Sequence, residues 1–517
     1  MLSFFLLQLT TAATSPKITW SACPPAVPPG VDCGSINVPL SYQSGNSTDA
    51  AGNGTVTLVL TRLNATGNST ENGGNRPALF FNPGGPGVPA TSVVAAGNFV
   101  PNLGFSSAVR EEYDIIGLDP RGVGQSTPVW CDPNVFNERV PTLFIGNNLG
   151  GSRNSSARYQ ALVNHNRRLG ESCANLTGPL LDNLDTIHVV KDHELVRRAL
   201  GANRFNYFGM SYGSLMGQQY LTLFPHSVGR MALDGLIDHS QSEVSTLLTE
   251  STTYETTLNK FFQWCDTNST CPLHQGKGKG GSHGNNTKAM FEALLARADM
   301  TAIPAPSCNG SCQPNATGED IRYNVQNFLD FVDLSVAPNW IDLGGALEEA
   351  INGNATALST PLGTSETSAS IMGSPFSYLA IGCQDWLRRE RSVTDLTQRL
   401  QAVRPFAPLT AGASQTYYYQ STCIGWPANV TNGQAPLNTT RLGNSPPRVL
   451  LSNSVYDPSC SIVWADGLRQ QLPGAVSITR NGSGHTSHFL LGGETRGAID
   501  NYLATGKLPM DGTIYQT

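Results

Sequence analysis

The chain has 517 residues, with 32 Lys and Arg against 38 Asp and Glu, so its formal net charge is −6. Only 14% of the residues are charged, and no basic stripe or aromatic-interleaved Lys/Arg cluster occurs, which excludes the electrostatic footprint of a nucleic-acid-binding protein. The length fits one large α/β domain carrying an insertion as readily as three domains.

The N-terminus predicts secretion. Residues 2–9 form a short apolar run that is followed by small residues, as in a signal peptide, although a basic start is missing. The alternative is a merely apolar beginning of the chain. We assign residues 1–15 to a signal peptide. No later apolar run is long enough to span a bilayer, so we expect no stable membrane insertion.

Glycosylation motifs support the same location. The sequence contains many N-x-Ser/Thr sequons, most of them in Gly/Ser/Thr-rich stretches that indicate a glycosylated surface. They lie at Asn46, Asn53, Asn64, Asn68, Asn154, Asn175, Asn268, Asn285, Asn309, Asn315, Asn354, Asn429, Asn438 and Asn481. A secreted, extracellular glycoprotein is therefore expected.

The eleven cysteines also favour an oxidising compartment. Several lie close enough in sequence to pair, although spacing alone does not determine disulfide connectivity. The pairs that we favour are Cys23 with Cys33, Cys131 with Cys173, Cys265 with Cys271, Cys308 with Cys312, and Cys383 with Cys423, which leaves Cys460 over. The short cysteine spacings lack a matching Cys/His pair, so disulfides are favoured over metal ligation, and we expect no metal and no cofactor.

The first strands predict the start of an α/β core. A hairpin around Val56–Leu60 indicates an N-terminal antiparallel edge. The apolar strand 78–81 leads directly into Gly84 and Gly85, where the backbone can approach a ligand, so we place an oxyanion donor near Gly85. The next strand, 113–119, is followed by Arg121, which we expect to pair with Asp119.

The stretch Asn206–Gly217 has the sequence form of a strand, a sharp turn and a helix. Ser211 stands between Gly209 and Gly213, which is the G-x-S-x-G pattern of a nucleophile elbow. The glycines are needed because side chains there would clash as strand and helix close around a strained serine. Backbone amides at the start of the helix, beginning with that of Tyr212, can bind an oxyanion.

A second copy of this pattern occurs at Gly280–Gly284, around Ser282. It lies in a Lys/Gly/Asn-rich run with no apolar strand before it and no helix directly after it. Because a nucleophile elbow requires that context, we interpret the second copy as a solvated loop.

The alternation of strands and helices breaks down between residues 240 and 443. Helical segments, Gly/Ser-rich loops and most of the candidate disulfides indicate an inserted, mainly helical cap. The predicted fold is an α/β-hydrolase core with a mostly parallel sheet, formed by residues 16–239 and 444–517.

The second part of the core supplies two more candidate residues. Strand 448–452 is followed by Asp457, and strand 475–479 is followed by His485. Ser211, Asp457 and His485 occur in the chain order of an α/β-hydrolase triad. A serine hydroxyl needs a histidine to remove its proton, and the histidine needs a buried carboxylate that fixes its tautomer. His488 is the less favoured base because it begins an apolar run.

Five motifs together resemble the tripeptidyl-aminopeptidase-like branch of the α/β-hydrolases, which is related to the proline iminopeptidases. They are Asn82–Gly87, Leu118–Ser126, Gly209–Gly213, Gly382–Trp386 and Gly484–Ser487. The resemblance covers nearly the whole chain beyond residue 15. It implies Ser211 as nucleophile with Asp457 and His485 as partners, and an oxyanion hole from the backbone of Gly84, Gly85 and Tyr212.

Two activities remain open, and a third alternative, a catalytically silent binding protein built on the hydrolase fold, is disfavoured because all three triad residues are present. The resemblance implies a secreted serine hydrolase that releases short N-terminal peptides, whereas an esterase or lactonase acting on a small metabolite would use the same triad. The expected partner is thus a small peptide or a small-molecule ester, with no nucleic acid. An aminopeptidase must hold the substrate ammonium, because a buried cation requires a carboxylate or carbonyl cluster. The candidates in the cap are Asp385, Glu348 and Glu349.

Overall fold

The computed structural model describes most of the chain beyond the N-terminal segment. The described residues are 16–25, 27–70, 76–97, 99–101, 103–140, 155–274, 286–332, 338–364, 373–387, 392–443, 446–490 and 493–516. The predicted signal peptide, residues 1–15, and the second serine motif, residues 280–284, lie outside these ranges.

Ten strands of the described residues form one sheet, and two further short strands pair with each other. The strands are β1 Thr19–Ser21, β2 Val31–Pro39, β3 Thr55–Leu63, β4 Ala78–Asn82, β5 Asp114–Leu118, β6 Phe205–Met210, β7 Val228–Asp234, β8 Ile303–Pro304, β9 Asn315–Ala316, β10 Val449–Tyr456, β11 Val476–Ser483 and β12 Thr513–Gln516. The order in the large sheet is β1-β2-β3-β5-β4-β6-β7-β10-β11-β12.

The large sheet is antiparallel at one edge and parallel elsewhere. Strands β1, β2 and β3 pair in antiparallel fashion, and β3 joins β5 in the same way. From β5 through β4, β6, β7, β10 and β11 to β12 every pairing is parallel. Every residue of β4, β5 and β6 is buried, as expected for parallel strands that are covered on both faces.

Helices of 4 to 25 residues accompany the sheet. Those of the described residues are α1 Ala90–Ala96, α2 Ser107–Glu112, α3 Pro133–Phe136, α4 Ser155–Thr177, α5 Thr186–Ala199, α6 Tyr212–Leu223, α7 Glu243–Thr267, α8 Thr287–Met300, α9 Gly318–Leu329, α10 Trp340–Ile351, α11 Pro375–Asp385, α12 Val393–Val403, α13 Gln415–Thr422, α14 Ile462–Gln471 and α15 Glu494–Thr505. None of the helices in the described ranges is long and apolar enough to cross a membrane.

The core lies on both faces of the sheet. Neighbouring residues along one strand belong to different apolar clusters, since Phe80 packs with α5 and α6 whereas Phe81 packs with α1 and α15. This alternation follows from the two-residue period of a strand. The predicted α/β-hydrolase architecture, a mostly parallel sheet between helices, is confirmed.

The segment between β7 and β10 is mainly helical, as predicted for the insertion. Helices α7 to α10 share an apolar cluster of their own, centred on Phe261, Phe291 and Leu343. Helices α11 and α13 differ, because Leu379 and Tyr419 join the cluster on one face of the large sheet. The cap boundaries at residues 240 and 443 stay a prediction.

All five favoured cysteine pairs are joined as disulfides: Cys23–Cys33, Cys131–Cys173, Cys265–Cys271, Cys308–Cys312 and Cys383–Cys423. Cys460 is free and buried.

The predicted pairing of Asp119 with Arg121 is wrong. Arg121 is fully buried and binds both carboxylate oxygens of Asp192, each at 2.7 Å. Asp119 instead accepts hydrogen bonds from the backbone and hydroxyl of Thr91 and from the amide of Gln125. Both residues lie in the loop after β5, which ends at Leu118. The alternation of a strand therefore does not fix their side chains, and each finds a partner elsewhere in the chain.

Candidate active site

Ser211 occupies a strained turn between β6 and α6. Its backbone has φ 56° and ψ −122°, a region that a non-glycine residue rarely adopts. A Cβ on Gly209 would lie 2.4 Å from the carbonyl oxygen of Gly213, and a Cβ on Gly213 would lie 2.6 Å from that of Asn82. Both flanking positions therefore require glycine, as the sequence pattern predicts.

Gly84 and Gly85 lie beside this turn but differ in what their amides do. The amide of Gly84 donates a 2.9 Å hydrogen bond to Oδ1 of Asn82, so this amide is already engaged. A Cβ on Gly84 would lie 2.8 Å from Cβ of Ser211, which makes Gly84 the residue that permits close approach. Gly85 and Tyr212 line the cleft together with Ser211.

Asp457 and His485 meet at the ends of β10 and β11. Nδ1 of His485 lies 2.9 Å from each carboxylate oxygen of Asp457. The buried carboxylate also accepts hydrogen bonds from the amides of Ser459, Cys460 and Thr486, at 2.9, 2.7 and 3.1 Å. These contacts fix Asp457 in orientation and hold the histidine by its Nδ1 edge.

The charge of Asp457 dominates the environment of His485. Burial alone would lower the pKa of this imidazole, but the adjacent Asp457, with Asp330 and Asp234, raises it to about 9. A carboxylate on Nδ1 thus favours the imidazolium form.

Gly235 brings the histidine and the serine together. A Cβ on Gly235 would lie 3.3 Å from Cε1 of His485 and 3.6 Å from the amide nitrogen of Ser211. The imidazole and the backbone of Ser211 therefore both lie close to Gly235, where a side chain would intrude. His488 has another environment, because its Nε2 lies 2.9 Å from Asp500 and its ring is buried.

A cleft opens at Ser211 between the sheet and the inserted helices. It has about 500 Å³ of empty space, part of it open to solvent. Its walls include apolar side chains from Ile237, Trp386 and Trp464. Sγ of Cys460 lies 4.0 Å from Oγ of Ser211, and burial raises the pKa of this thiol well above its ordinary value.

The structure does not bring the three predicted ammonium ligands to the cleft. Glu348 and Glu349 are both exposed on α10 and belong to neither wall. Asp385 is fully buried behind the cleft, where it accepts hydrogen bonds from Thr186, Tyr212 and Asn432. Its neighbour along the chain, Trp386, lines the cleft instead.

A carboxylate that the sequence analysis missed does line the cleft. Glu250 is 1% exposed and accepts hydrogen bonds from the amide of Thr416 at 2.7 Å and the side chain of Gln326 at 3.1 Å. Burial raises its pKa above the ordinary value. The Ser/Thr-rich start of α7 shows no clear apolar period, so the sequence gives no signal that places Glu250 on a helix of the insertion.

Two family models match the chain. The model described as the α/β-hydrolase fold matches residues 77–276, which include β4 to β7 and the elbow. The model described as TAP-like protein matches residues 407–514, which include Asp457 and His485. Together with the sheet order and the elbow, these matches identify a serine hydrolase with the α/β-hydrolase fold.

Individual relatives confirm the predicted resemblance to the tripeptidyl-aminopeptidase-like branch. Tripeptidyl aminopeptidase of Streptomyces lividans is 26% identical over 513 residues, 95% of this chain and 85% of the relative. Serine protease Hip1 of Mycobacterium tuberculosis is 26% identical over 96% of this chain and 90% of the relative. Carboxylesterase B of the same organism is 26% identical over 96% of this chain and 89% of the relative.

Proposed function

We propose that the protein is a secreted aminopeptidase that releases short peptides from the N-terminus of its substrates. In this mechanism Oγ of Ser211 attacks the scissile carbonyl while Nε2 of His485 takes the hydroxyl proton. Asp457 holds Nδ1 and stabilises the imidazolium that forms. The amides of Gly85 and Tyr212 bind the oxyanion, whereas that of Gly84 is committed to Asn82.

The second half of the reaction returns the enzyme to its starting state. His485 gives its proton to the leaving amine as the C–N bond breaks, which leaves the N-terminal peptide as an ester on Ser211. A water molecule then attacks the ester carbonyl and loses a proton to His485. Breakage of the C–O bond releases the peptide acid, and the proton on His485 returns to Ser211.

Glu250 is the observation that carries the peptidase assignment. It is a carboxylate in the cleft wall, and among the described residues its hydrogen-bond partners carry no positive charge. Asp238 also lines the cleft, where its carboxylate accepts hydrogen bonds from Ser240, Gln241 and Gln471. A buried anion without a cationic partner favours binding of a positively charged group. The substrate's α-ammonium supplies that group.

The test compares a free-amine tripeptide amide with its N-acetylated form. The free amine should be cleaved much faster, because acetylation removes the charge and leaves the buried Glu250 carboxylate without a cationic partner. Equal rates on both peptides would contradict the aminopeptidase assignment.

An esterase acting on a small metabolite is the second candidate. The apolar walls of the cleft and the similarity to carboxylesterase B favour it. Activity confined to simple esters, with neither tripeptide cleaved, would establish this function in place of the first.

Secretion and glycosylation form part of the proposal. The five disulfides are typical of an oxidising compartment. Most described sequon asparagines are exposed, namely Asn46, Asn53, Asn64, Asn68, Asn175, Asn309, Asn429, Asn438 and Asn481. Asn268, Asn315 and Asn354 are half-buried, and Asn154 and Asn285 lie outside the described residues.

Expression in a eukaryotic host tests the location directly. The protein should enter the medium with its disulfides formed and lose mass on treatment with a glycosidase. Recovery of an unmodified, fully reduced protein from the cytosol would contradict this part of the proposal.

A further inference from the structure

Asp330 follows the last residue of α9 and contacts both loops that carry the proposed catalytic pair. Its Oδ1 accepts a 2.9 Å hydrogen bond from the hydroxyl of Ser459, two residues after Asp457. Its backbone carbonyl accepts a 2.6 Å hydrogen bond from the amide of His485. One residue of the inserted segment thus binds the loop after β10 and the loop after β11.

These contacts close a ring of four residues. The amide of Ser459 donates to Oδ1 of Asp457 at 2.9 Å, and Asp457 lies 2.9 Å from Nδ1 of His485. The His485 amide and the Ser459 hydroxyl then lead back to Asp330. Displacement of Asp330 would therefore disturb both partners of the pair at once.

Gly484 shows how close this approach is. Its φ is +103°, and a Cβ on it would lie 2.9 Å from the carbonyl oxygen of Asp330. Any side chain at this position would push α9 away from the histidine loop. The bare backbone at Gly484 thus permits the inserted segment to contact His485.

The charged groups around the pair come from several elements. His485 is faced by Asp457, Asp330 and Asp234, and the buried guanidinium of Arg480 donates to carbonyls of the histidine loop. Burial raises the pKa of Asp330 to about 6, against the opposing charge of His485. The charge of Asp330 also acts on Cys460 and Tyr378. Burial raises the pKa of both groups, so both remain neutral.

We propose that Asp330 is a positioning residue of the active site, which aligns His485 through the ring of hydrogen bonds and stabilises its imidazolium by charge. The inference rests on the proposed roles of Ser211, Asp457 and His485. Asp330 touches no reacting atom. It acts through the histidine, so the position of the inserted segment and the basicity of the catalytic residue are linked.

The experiment follows labelling of Ser211 by a fluorophosphonate probe as a function of pH, because labelling needs the activated serine but no particular substrate. Asp330→Asn keeps an oxygen acceptor for Ser459 and removes the charge. A nearby anion raises the pKa of an imidazole. In Asp330→Asn the rise of the labelling rate with pH should therefore occur at lower pH, by about half a unit to one unit.

Glu255→Gln is the matched control. Glu255 is a buried carboxylate of the inserted segment that accepts hydrogen bonds from the amides of Leu409 and Thr410. Its profile should match that of the wild type.

A second variant tests the hydrogen bond between Ser459 and Asp330 without changing any charge. Ser459→Ala should slow labelling several-fold, while the pH at which the labelling rate rises stays unchanged. This variant also tests the inference if Asp330→Asn does not fold. Two results would overturn this inference and leave the proposed function intact. One is an Asp330→Asn variant whose labelling rate and pH dependence match the wild type, and the other is an unchanged labelling rate in Ser459→Ala. A wild-type protein that is not labelled at Ser211 would overturn the proposed function and this inference with it.

Discussion

The hydroxyl of Tyr212 donates a 2.7 Å hydrogen bond to Oδ2 of Asp385. This contact joins the residue after the nucleophile to the last residue of α11. Asp385 also accepts hydrogen bonds from the amide and hydroxyl of Thr186 and from the side chain of Asn432. Its carboxylate thus links three segments of the chain behind the cleft. A residue with this many internal donors is built to support Tyr212 and not to bind a substrate ammonium.

We predict that Asp385→Ala mainly destabilises the protein. The change leaves several buried donors unpaired, each at a cost of about 1–3 kcal/mol, so the free energy of unfolding should fall by roughly 3 kcal/mol or more. Urea unfolding measures this loss. An intact stability combined with a selective loss of activity on free-amine peptides would restore Asp385 as an ammonium ligand.

Ser211→Ala should abolish hydrolysis of every substrate while the protein remains folded. Loss of a triad serine lowers kcat by roughly 10⁶-fold, and the residual rate reflects the oxyanion hole and binding. Ser282→Ala is the matched control, since Ser282 carries the same G-x-S-x-G pattern without an apolar run before it in the sequence. Probe labelling that persists in Ser211→Ala and disappears in Ser282→Ala would reverse the assignment.

The pH dependence of kcat/KM should reflect His485. The histidine must be neutral to accept the serine proton, and its pKa is raised to about 9 by the neighbouring carboxylates in spite of burial. Activity in the free enzyme should therefore rise on the alkaline side of neutrality as the imidazolium loses its proton. A pH–rate profile already flat at mildly acidic pH would show that Asp457 does not exert this effect on the histidine.

Glu250→Gln should separate binding of the substrate amine from the chemical step. The substitution keeps the shape of the side chain but removes its charge, so kcat/KM for free-amine peptides should fall about 100-fold or more. Hydrolysis of an ester without an amine should change little, because Ser211 and His485 are untouched. Glu255→Gln removes a comparable buried charge and should affect neither substrate. A parallel loss on peptide and ester in Glu250→Gln would assign Glu250 a structural role.

The features that depend on local chemistry could be predicted from the sequence. The elbow could be predicted because Gly209 and Gly213 leave no room for a Cβ. Ser211, Asp457 and His485 could be grouped because each follows a strand, and the carboxyl ends of parallel strands share one edge of the sheet.

Two of the features that were missed depend on packing between distant segments, and a third is a local backbone contact. Glu250 lies in the cleft wall through contacts with Gln326 and Thr416, and Arg121 pairs with Asp192, 71 residues away. The amide of Gly84 is engaged by Asn82, a contact two residues back along the chain. No local pattern reveals whether a backbone N–H has already found a partner, so the sequence could not distinguish Gly84 from Gly85 as an oxyanion donor.

The single thiol at Cys460 has a consequence for how this enzyme would be classified by inhibitors. Its sulfur lies 4.0 Å from the hydroxyl of Ser211 in the wall of the same cleft. A mercurial that reached this thiol would fill the space in front of the serine, although sulfur takes no part in breaking the bond. Inactivation by a thiol reagent would then suggest a cysteine hydrolase, and only the position of the modified atom would show that the nucleophile is its neighbour.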